Sequence, residues 1–219
     1  MPQFIKEDAF EIRLRYAVSA AWEIFARKVG GGLIPVNKEA SMQLQYAYVL
    51  KQLLPMTLHQ PDEQADLLLE SPMHTPSGYY NADIVVNAHS AAGPYKIAIE
   101  LKCYRKIAAS GGNRGAGDIF MKDVYADLQI LEEYVEYGLA DVGVALVMND
   151  MEHFVSPKKK KGKCWAYDTS HGTVFPGGIL DVRIGGKPIL LDIRHSYTFN
   201  WFRHGDIWFT ELEGVPLQQ

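Results

Sequence analysis

Three ionisable side chains stand near the ends of two predicted strands. Asp83 lies in the segment 82–87, and Glu100 and Lys102 close the mainly apolar segment 95–102. Alternate residues of a strand face the same side, so we expect Glu100 and Lys102 to project together. Their odd-numbered neighbours are expected to face the core: Ile97, Ile99 and Leu101. An antiparallel hairpin would place Asp83 alongside, and two carboxylates and one ammonium group would then converge at one end of the sheet.

This trio is suited to metal-assisted hydrolysis of a phosphodiester. Two carboxylates bind a hard divalent cation such as Mg²⁺ and leave coordination sites for water and phosphate. The cation lowers the pKa of bound water and offsets the charge that develops on phosphorus. A lysine beside them orients or deprotonates the attacking water, or stabilises charge. We therefore expect Asp83 and Glu100 to be metal ligands and Lys102 to be catalytic.

On these residues the sequence resembles the PD-(D/E)xK nuclease superfamily, the restriction-endonuclease-like phosphodiesterases. The resemblance consists of Asp83 and the triplet Glu100-Leu101-Lys102 at the end of an apolar strand, with Ala82 where the superfamily motif has proline. Many members carry a further glutamate on the preceding helix, which contributes to the metal site, and Glu39 matches it. The resemblance covers residues 37–150 and implies an αβββαβ core.

The resemblance further implies a Mg²⁺- or Mn²⁺-dependent endonuclease of the restriction, defence or repair type. It would hydrolyse DNA directly, with no covalent enzyme intermediate, and RNA is not excluded as a substrate. A homodimer is expected, because symmetric dimers cut both strands of a duplex.

Basic residues near this motif are candidates for contact with nucleic acid. They are Arg105, Lys106 and Arg114 after the motif strand, Lys122 on the next helix, and the block Lys158, Lys159, Lys160 and Lys161. Residues 102–117 carry four positive charges and residues 158–163 carry five, so the rest of this chain of net charge −4 totals −13. The local pattern permits a directed contact with a polyanion, although the whole-chain charge argues against indiscriminate binding.

Several alternatives stay open for these residues. The Glu100-x-Lys102 triplet also fits a solvated strand edge with an ion pair, and Glu39 fits plain complementation of a helix dipole. The lysine block and Lys122 also fit solvated surface. A catalytically silent binding or assembly module could keep the same fold. The glycine loop 110–117 could bind a nucleotide, but its order matches neither GxGxxG nor GxxxxGK[ST].

The periodicity of apolar residues predicts the elements that position the motif. We expect helices over 4–29, over 38–54 with Asn37 as N-cap, and over 118–137, because apolar residues recur at helical spacing. Strands are predicted over 66–70, 82–87, 95–102, 142–148, 164–167, 179–184, 188–193, 197–202 and 207–212, with a tight turn at 185–186. The order predicts an α/β fold with a mixed central sheet flanked by helices.

The length of 219 residues and the even composition favour one domain over residues 1–219. Within it we expect a nuclease-like core over 37–150 and a β-rich C-terminal extension over 151–219. The composition excludes a disordered chain, a coiled coil or a collagen-like fibre. With no long apolar run and no visible secretory signal, we expect a cytoplasmic protein that does not enter the membrane.

The remaining notable residues are expected to be structural. Cys103 and Cys164 are expected to be free thiols, and with His153, His195 and His204 they do not form a zinc spacing. Aromatic residues of the C-terminal strands could stack on bases, but we favour a place for them in the core or in a subunit interface. They are Tyr197, Phe199, Trp201, Phe202, Trp208 and Phe209.

Overall fold

A computed structural model describes residues 6–107, 111–185 and 189–217. The helices are α1 (Phe10–Gly30), α2 (Glu39–Leu53), α3 (Gly117–Glu136) and the short α4 (Glu152–Val155), with 3₁₀ turns at Leu54–Thr57 and Lys163–Tyr167. The predicted helices are confirmed to within a few residues, except that α1 begins well after residue 4. None of the helices in the described ranges has the length and apolar character needed to cross a lipid bilayer.

The strands of the described residues form one large sheet and two small ones. They are β1 (Gln64–Thr75), β2 (Gly78–Ser90), β3 (Gly93–Tyr104), β4 (Val142–Asn149), β5 (Val174–Phe175), β6 (Gly178–Leu180), β7 (Leu191–Ile193), β8 (His195–Thr198), β9 (Phe202–His204), β10 (Ile207–Glu213) and β11 (Val215–Pro216). The large sheet has the order β1-β2-β3-β4-β10-β9, and the small ones have the orders β11-β8-β5 and β6-β7.

The large sheet is mixed, as predicted. The pair β3–β4 is parallel and is connected through α3, whereas the other neighbours are antiparallel. The chain order α2-β1-β2-β3-α3-β4 repeats the predicted sequence of elements. The C-terminal region 151–219 also contributes to this sheet, because β10 pairs with β4 over Glu213↔Val144 to Trp208↔Asn149.

Two predictions for the C-terminal region are wrong. Residues 164–167 lie in a 3₁₀ turn rather than in a strand. Residues 197–202 are divided between β8 and β9. Strands β6 and β7 pair as predicted, with Leu180 opposite Leu191, but they are shorter than predicted. Residue 186 of the predicted turn lies outside the described residues.

Two apolar layers enclose the sheet. Helices α1 and α2 pack on one face, where Trp22 stacks on Phe25 and meets Phe209 edge-on. Helix α3 and the C-terminal segments pack on the other face. Five consecutive apolar residues of β4 are buried, as expected for a strand covered on both faces: Val144, Ala145, Leu146, Val147 and Met148. Ile24 of α1 is exposed, although it is a large apolar residue.

Four of the six aromatic residues named for the C-terminal strands confirm the structural interpretation, and Phe202 and Trp208 are half-buried. Tyr197, Phe199, Trp201 and Phe209 are all buried. Buried rings cannot stack on bases, so these four residues stabilise the core.

The end of α1 rests directly on the turn between β9 and β10. A Cβ atom at Gly30 would lie 2.4 Å from the carbonyl oxygen of His204, and one at Gly205 would lie 2.3 Å from the carbonyl oxygen of Gly30. Glycine is therefore required at both positions by close backbone contact, which fixes α1 against the sheet.

Candidate metal and catalytic site

The hairpin of β2 and β3 brings Asp83 beside Glu100, as predicted. The antiparallel pairing of the two strands extends to Ile84↔Ile99, so Asp83 and Glu100 occupy the next position along the register. The Leu101 amide donates a hydrogen bond of 2.7 Å to Oδ2 of Asp83. A carboxylate thus takes the place of a backbone acceptor at the point where the pairing of the two strands ends.

The side chains of β3 alternate as the sequence predicts. Ile97, Ile99 and Leu101 are fully buried in the layer of α1 and α2. Glu100 and Lys102 contact the opposite layer, because Glu100 meets Tyr134 and Lys102 meets Asp127, both on α3.

Glu39 reaches the same site from the first turn of α2. Its Oε2 accepts a hydrogen bond of 3.4 Å from the Cys103 amide and lies 3.6 Å from Nζ of Lys102. The expected cap is displaced by one residue, because Lys38, and not Asn37, is the N-cap, and its amide donates to Oγ of Ser41 at 3.2 Å. Because of this cap the helix begins at Glu39, and the Glu39 carboxylate faces β3.

Asp127 is the residue that sequence reasoning missed. Its Oδ2 lies 3.0 Å from Nζ of Lys102, and only 14% of its side chain is exposed, against 20% for Lys102. Tyr134, two helical turns later on the same face of α3, donates a hydrogen bond of 3.1 Å to Oε1 of Glu100. Two polar side chains on the sheet-facing side of α3 could have indicated that this helix belongs to the site. Buried polar side chains require partners, and the nearest candidates lie on β3.

The site holds four carboxylates around one ammonium group. Burial, reinforced by the charges of Asp127 and Asp83, raises the pKa of Glu100 well above its ordinary value. Burial raises the pKa of Asp83 to about 6, opposed by the hydrogen bond from Leu101 and reinforced by the charge of Glu39. Burial likewise raises the pKa of Asp127 to about 7, although Lys102 opposes it.

Lys102 is strongly held in its charged form. Burial alone lowers its pKa, but the carboxylates of Asp127 and Glu39 outweigh burial and hold the pKa above its ordinary value. One ammonium group cannot neutralise four ionised carboxylates, so a bound cation would stabilise their ionised forms and lower the raised pKa values.

The carboxylates of Asp83 and Glu100 are chemically suited to bind Mg²⁺. Hydrogen bonds occupy Oδ2 of Asp83 and Oε1 of Glu100, so each carboxylate keeps a second oxygen without a hydrogen-bond partner in the described part of the chain. Mg²⁺ is commonly bound by one or two carboxylates together with water and substrate phosphate. Within the described ranges, no group of three or more His, Cys, Asp and Glu side chains is arranged to hold an ion.

A cavity of about 200 Å³ opens beside Lys102. Glu39, Asp123 and Arg114 are among its lining residues, together with the start of α3. A cavity of about 310 Å³ lies apart from this site. It adjoins Glu132, whose carboxylate accepts hydrogen bonds from the amides of Arg194 and His195 and thereby fixes the C-terminal segment to α3.

Two of the predicted basic residues beside the motif are engaged in structural contacts. Arg105 pairs with Asp150 at 3.0 Å and donates to the Val36 carbonyl at 2.9 Å. Arg114 donates to the Cys103 carbonyl at 3.2 Å and stacks over Tyr104. Both cations stay near the site, and Arg114 also lines its cavity.

The remaining basic residues differ in their surroundings. The Lys106 side chain is exposed, and its amide donates to Asp150. Lys122 pairs with Asp123 at 2.7 Å. In the lysine block, Lys160 pairs with Asp168 and lies over the Trp165 ring. Its neighbours Lys158, Lys159 and Lys161 are exposed.

The remaining candidates are dispersed. His153 meets Trp165, His195 meets Glu132 and His204 meets Glu23, while both cysteines are free thiols. Ser110 of the glycine loop lies outside the described residues. The following part of the loop folds back on its own start, because Asn113 bridges to Ile107 and the Arg114 amide donates to the Lys106 carbonyl.

Comparison of the chain with protein-family models, with curated proteins and with solved structures gives no match. The functional argument therefore depends on the residues of the site and their geometry.

Proposed function

We propose that this protein is a Mg²⁺- or Mn²⁺-dependent nuclease of the PD-(D/E)xK type that hydrolyses phosphodiester bonds of DNA. The observation that carries the proposal is the convergence of Asp83 and Glu100 at the end of the β2–β3 pairing, with Lys102 two residues further and Glu39 arriving from α2. The order of elements from α2 to β4 is the αβββαβ order of a restriction-endonuclease-like core, which we propose for this fold.

In this proposal Asp83 and Glu100 would hold the cation, and Glu39 would assist them. The bound cation would supply a water of lowered pKa and would offset negative charge on the phosphate. Lys102 would act through its positive charge, by orienting the attacking water and stabilising the anionic transition state. Its contacts with Asp127 and Glu39 favour this role over that of a proton acceptor, because they stabilise the protonated amine.

The nucleic acid would approach along the edge that carries the basic residues. Tyr104 and Phe154 are in contact, and His153 meets Trp165, so the segment that follows α4 lies near the end of β3. The exposed lysines at 158, 159 and 161 belong to that segment. Phosphate contacts from these lysines and from Arg114 would make binding depend on salt. We further propose a cytoplasmic homodimer of the restriction, defence or repair type.

Cleavage of DNA with Mg²⁺ or Mn²⁺ tests the proposal. We expect wild-type protein to cleave and Asp83→Ala and Lys102→Ala to lose at least about a hundredfold in rate, because charge-stabilising groups of this kind contribute that much. Asp206→Ala and Lys28→Ala are the matched controls, since Asp206 is 98% exposed and Lys28 is exposed on α1. Equal cleavage by wild type, both site variants and both controls would contradict the proposal.

A second candidate is a catalytically silent binding or assembly subunit with the same fold. The observation that favours it is that Lys102 is already neutralised by Asp127 and Glu39. Such a subunit would bind DNA without binding Mn²⁺ in a calorimetric titration, whereas the nuclease would bind both.

A further inference from the structure

The hairpin of β1 and β2 has an abrupt change of face at the position of Asp83. Ile84 packs in the layer of α1 and α2, but Ala82, two residues earlier, packs in the layer of α3. On the neighbouring strand Leu67 and Met73 are likewise on opposite faces. Residues an even number apart should share a face, so both strands reverse between these points.

Glu70 occupies the centre of this reversal. Its φ of 50° is in the left-handed region, which is rare for a residue other than glycine. The register pairs Leu69 with Ile84 and Ser71 with Ala82, and Glu70 lies between these pairs, opposite Asp83. A conformation of this kind persists only where surrounding contacts hold it, and such strain is concentrated at functional sites.

Gln43 supplies the contacts that hold the reversal. Its Nε2 donates to Oε1 of Glu70 at 2.6 Å and to the backbone carbonyl of Asp83 at 2.8 Å. Gln43 lies one turn after Glu39 on α2, so the same helix face contacts both β3 and the reversed hairpin. The Gln43 amide thus ties both reversed strands to α2. It does so at Asp83, whose carboxylate accepts the hydrogen bond of the Leu101 amide.

We infer that Gln43 and Glu70 form a positioning clamp that sets the backbone of Asp83 and directs its carboxylate to the amide of Leu101 and into the site. Neither residue needs to touch substrate or metal. The clamp acts through the backbone of Asp83, and Glu70 contributes the acceptor oxygen that holds the Gln43 amide in place. The expected effect of the clamp on metal binding rests on the proposed function. Its effect on the position of Asp83 is independent of that function.

Amide hydrogen exchange at Leu101 reports on the clamp directly, because this amide donates to Asp83. We expect Gln43→Ala to raise the exchange rate of Leu101 about tenfold relative to the other β3 amides, as one hydrogen-bonded contact is loosened. Glu70→Gln keeps an acceptor oxygen for Gln43 and should leave the Leu101 rate near that of wild type. Gln52→Ala is the matched control, because Gln52 is exposed on the same helix. An unchanged Leu101 rate in Gln43→Ala would overturn the inference.

Calorimetric titration with Mn²⁺ separates the clamp from the proposed function. We expect Gln43→Ala to bind Mn²⁺ about 10–100-fold more weakly than wild type, the usual effect of losing a group that orients a ligand. Glu70→Gln should bind as wild type does, and weakened binding by this variant would overturn the positioning role by making Glu70 a direct ligand. If wild-type protein takes up no Mn²⁺, the proposed metal site fails, while the Leu101 exchange still decides whether the clamp exists.

Discussion

The pairing of Lys102 with Asp127 gives a quantitative prediction for stability. Removing either charge alone leaves the other in a largely buried site that already contains Glu39 and Glu100. We expect Lys102→Met to be the more damaging substitution, at about 3–5 kcal/mol, because it leaves four carboxylates with no cation among them. Asp127→Asn should cost less, since Lys102 keeps Glu39 at 3.6 Å.

The magnitude of the coupling follows from the geometry. At the observed separation of 3.0 Å and an effective dielectric constant of about 20, Coulomb attraction is about 5.5 kcal/mol. The side chains are 20% and 14% exposed, so solvent screens part of this attraction. We expect a double-mutant cycle of Lys102→Met and Asp127→Asn to give a coupling energy of about 2–4 kcal/mol.

Urea unfolding at pH 8, followed by tryptophan fluorescence, measures the coupling. Lys51 and Asp66 provide a matched control pair, because their side chains are 54% and 63% exposed. The control cycle of Lys51→Met and Asp66→Asn should give less than about 1 kcal/mol, as is usual for exposed pairs. If the Lys102–Asp127 cycle gives no more than the control, the ion pair does not organise the site and the reasoning is wrong.

Three further predictions concern protonation, a hydrogen bond and salt. The raised pKa of Asp83 means that the metal-free folded state holds this proton more tightly than the unfolded state, so stability should fall as pH rises from its ordinary pKa of 3.8 to about 6. In urea titrations across this pH range, Asp83→Asn should reduce the fall in the free energy of unfolding by about 2 kcal/mol, a value discounted for the partial exposure of Asp83. A pH profile identical to that of wild type would contradict the burial of Asp83. Tyr134→Phe should lower the free energy of unfolding by about 1 kcal/mol, because Glu100 loses a hydrogen bond, and an unchanged urea midpoint would argue against that contact. Replacing the exposed lysines at 158, 159 and 161 with glutamine should flatten the salt dependence of DNA binding by about three units of slope in fluorescence anisotropy, and an unaltered slope would remove this segment from the interface.

The elements of the fold could be predicted where the determinants are local. The apolar stripe of α3 and the continuous apolar run of β4 are visible in short windows, because burial on one side or both sides fixes the period. The place of β10 beside β4 could not be read in this way, since the period of a strand does not specify its neighbour. Sequence does not distinguish the 3₁₀ turn at Lys163–Tyr167 from a strand, because four or five residues rich in aromatic side chains fit both structures.

The site, like the fold, could be predicted where its determinants are local. Strand alternation and an antiparallel hairpin suffice to bring Asp83, Glu100 and Lys102 together, and the structure places them so. Asp127 could not be paired with Lys102 from sequence, because the rotation of α3 against the sheet depends on tertiary packing. Nothing in the sequence around Glu70 indicates its left-handed backbone, since contacts from another element hold that conformation.

The most direct test of the central claim is anomalous diffraction from a crystal soaked in Mn²⁺. The proposed function predicts an anomalous peak between the carboxylates of Asp83 and Glu100, within about 2–2.5 Å of an oxygen from each, as expected for a hard divalent cation. The peak should disappear in Asp83→Ala. A fully soaked crystal without density between these two residues, or with Mn²⁺ bound only elsewhere, would contradict a metal-dependent nuclease built on this site.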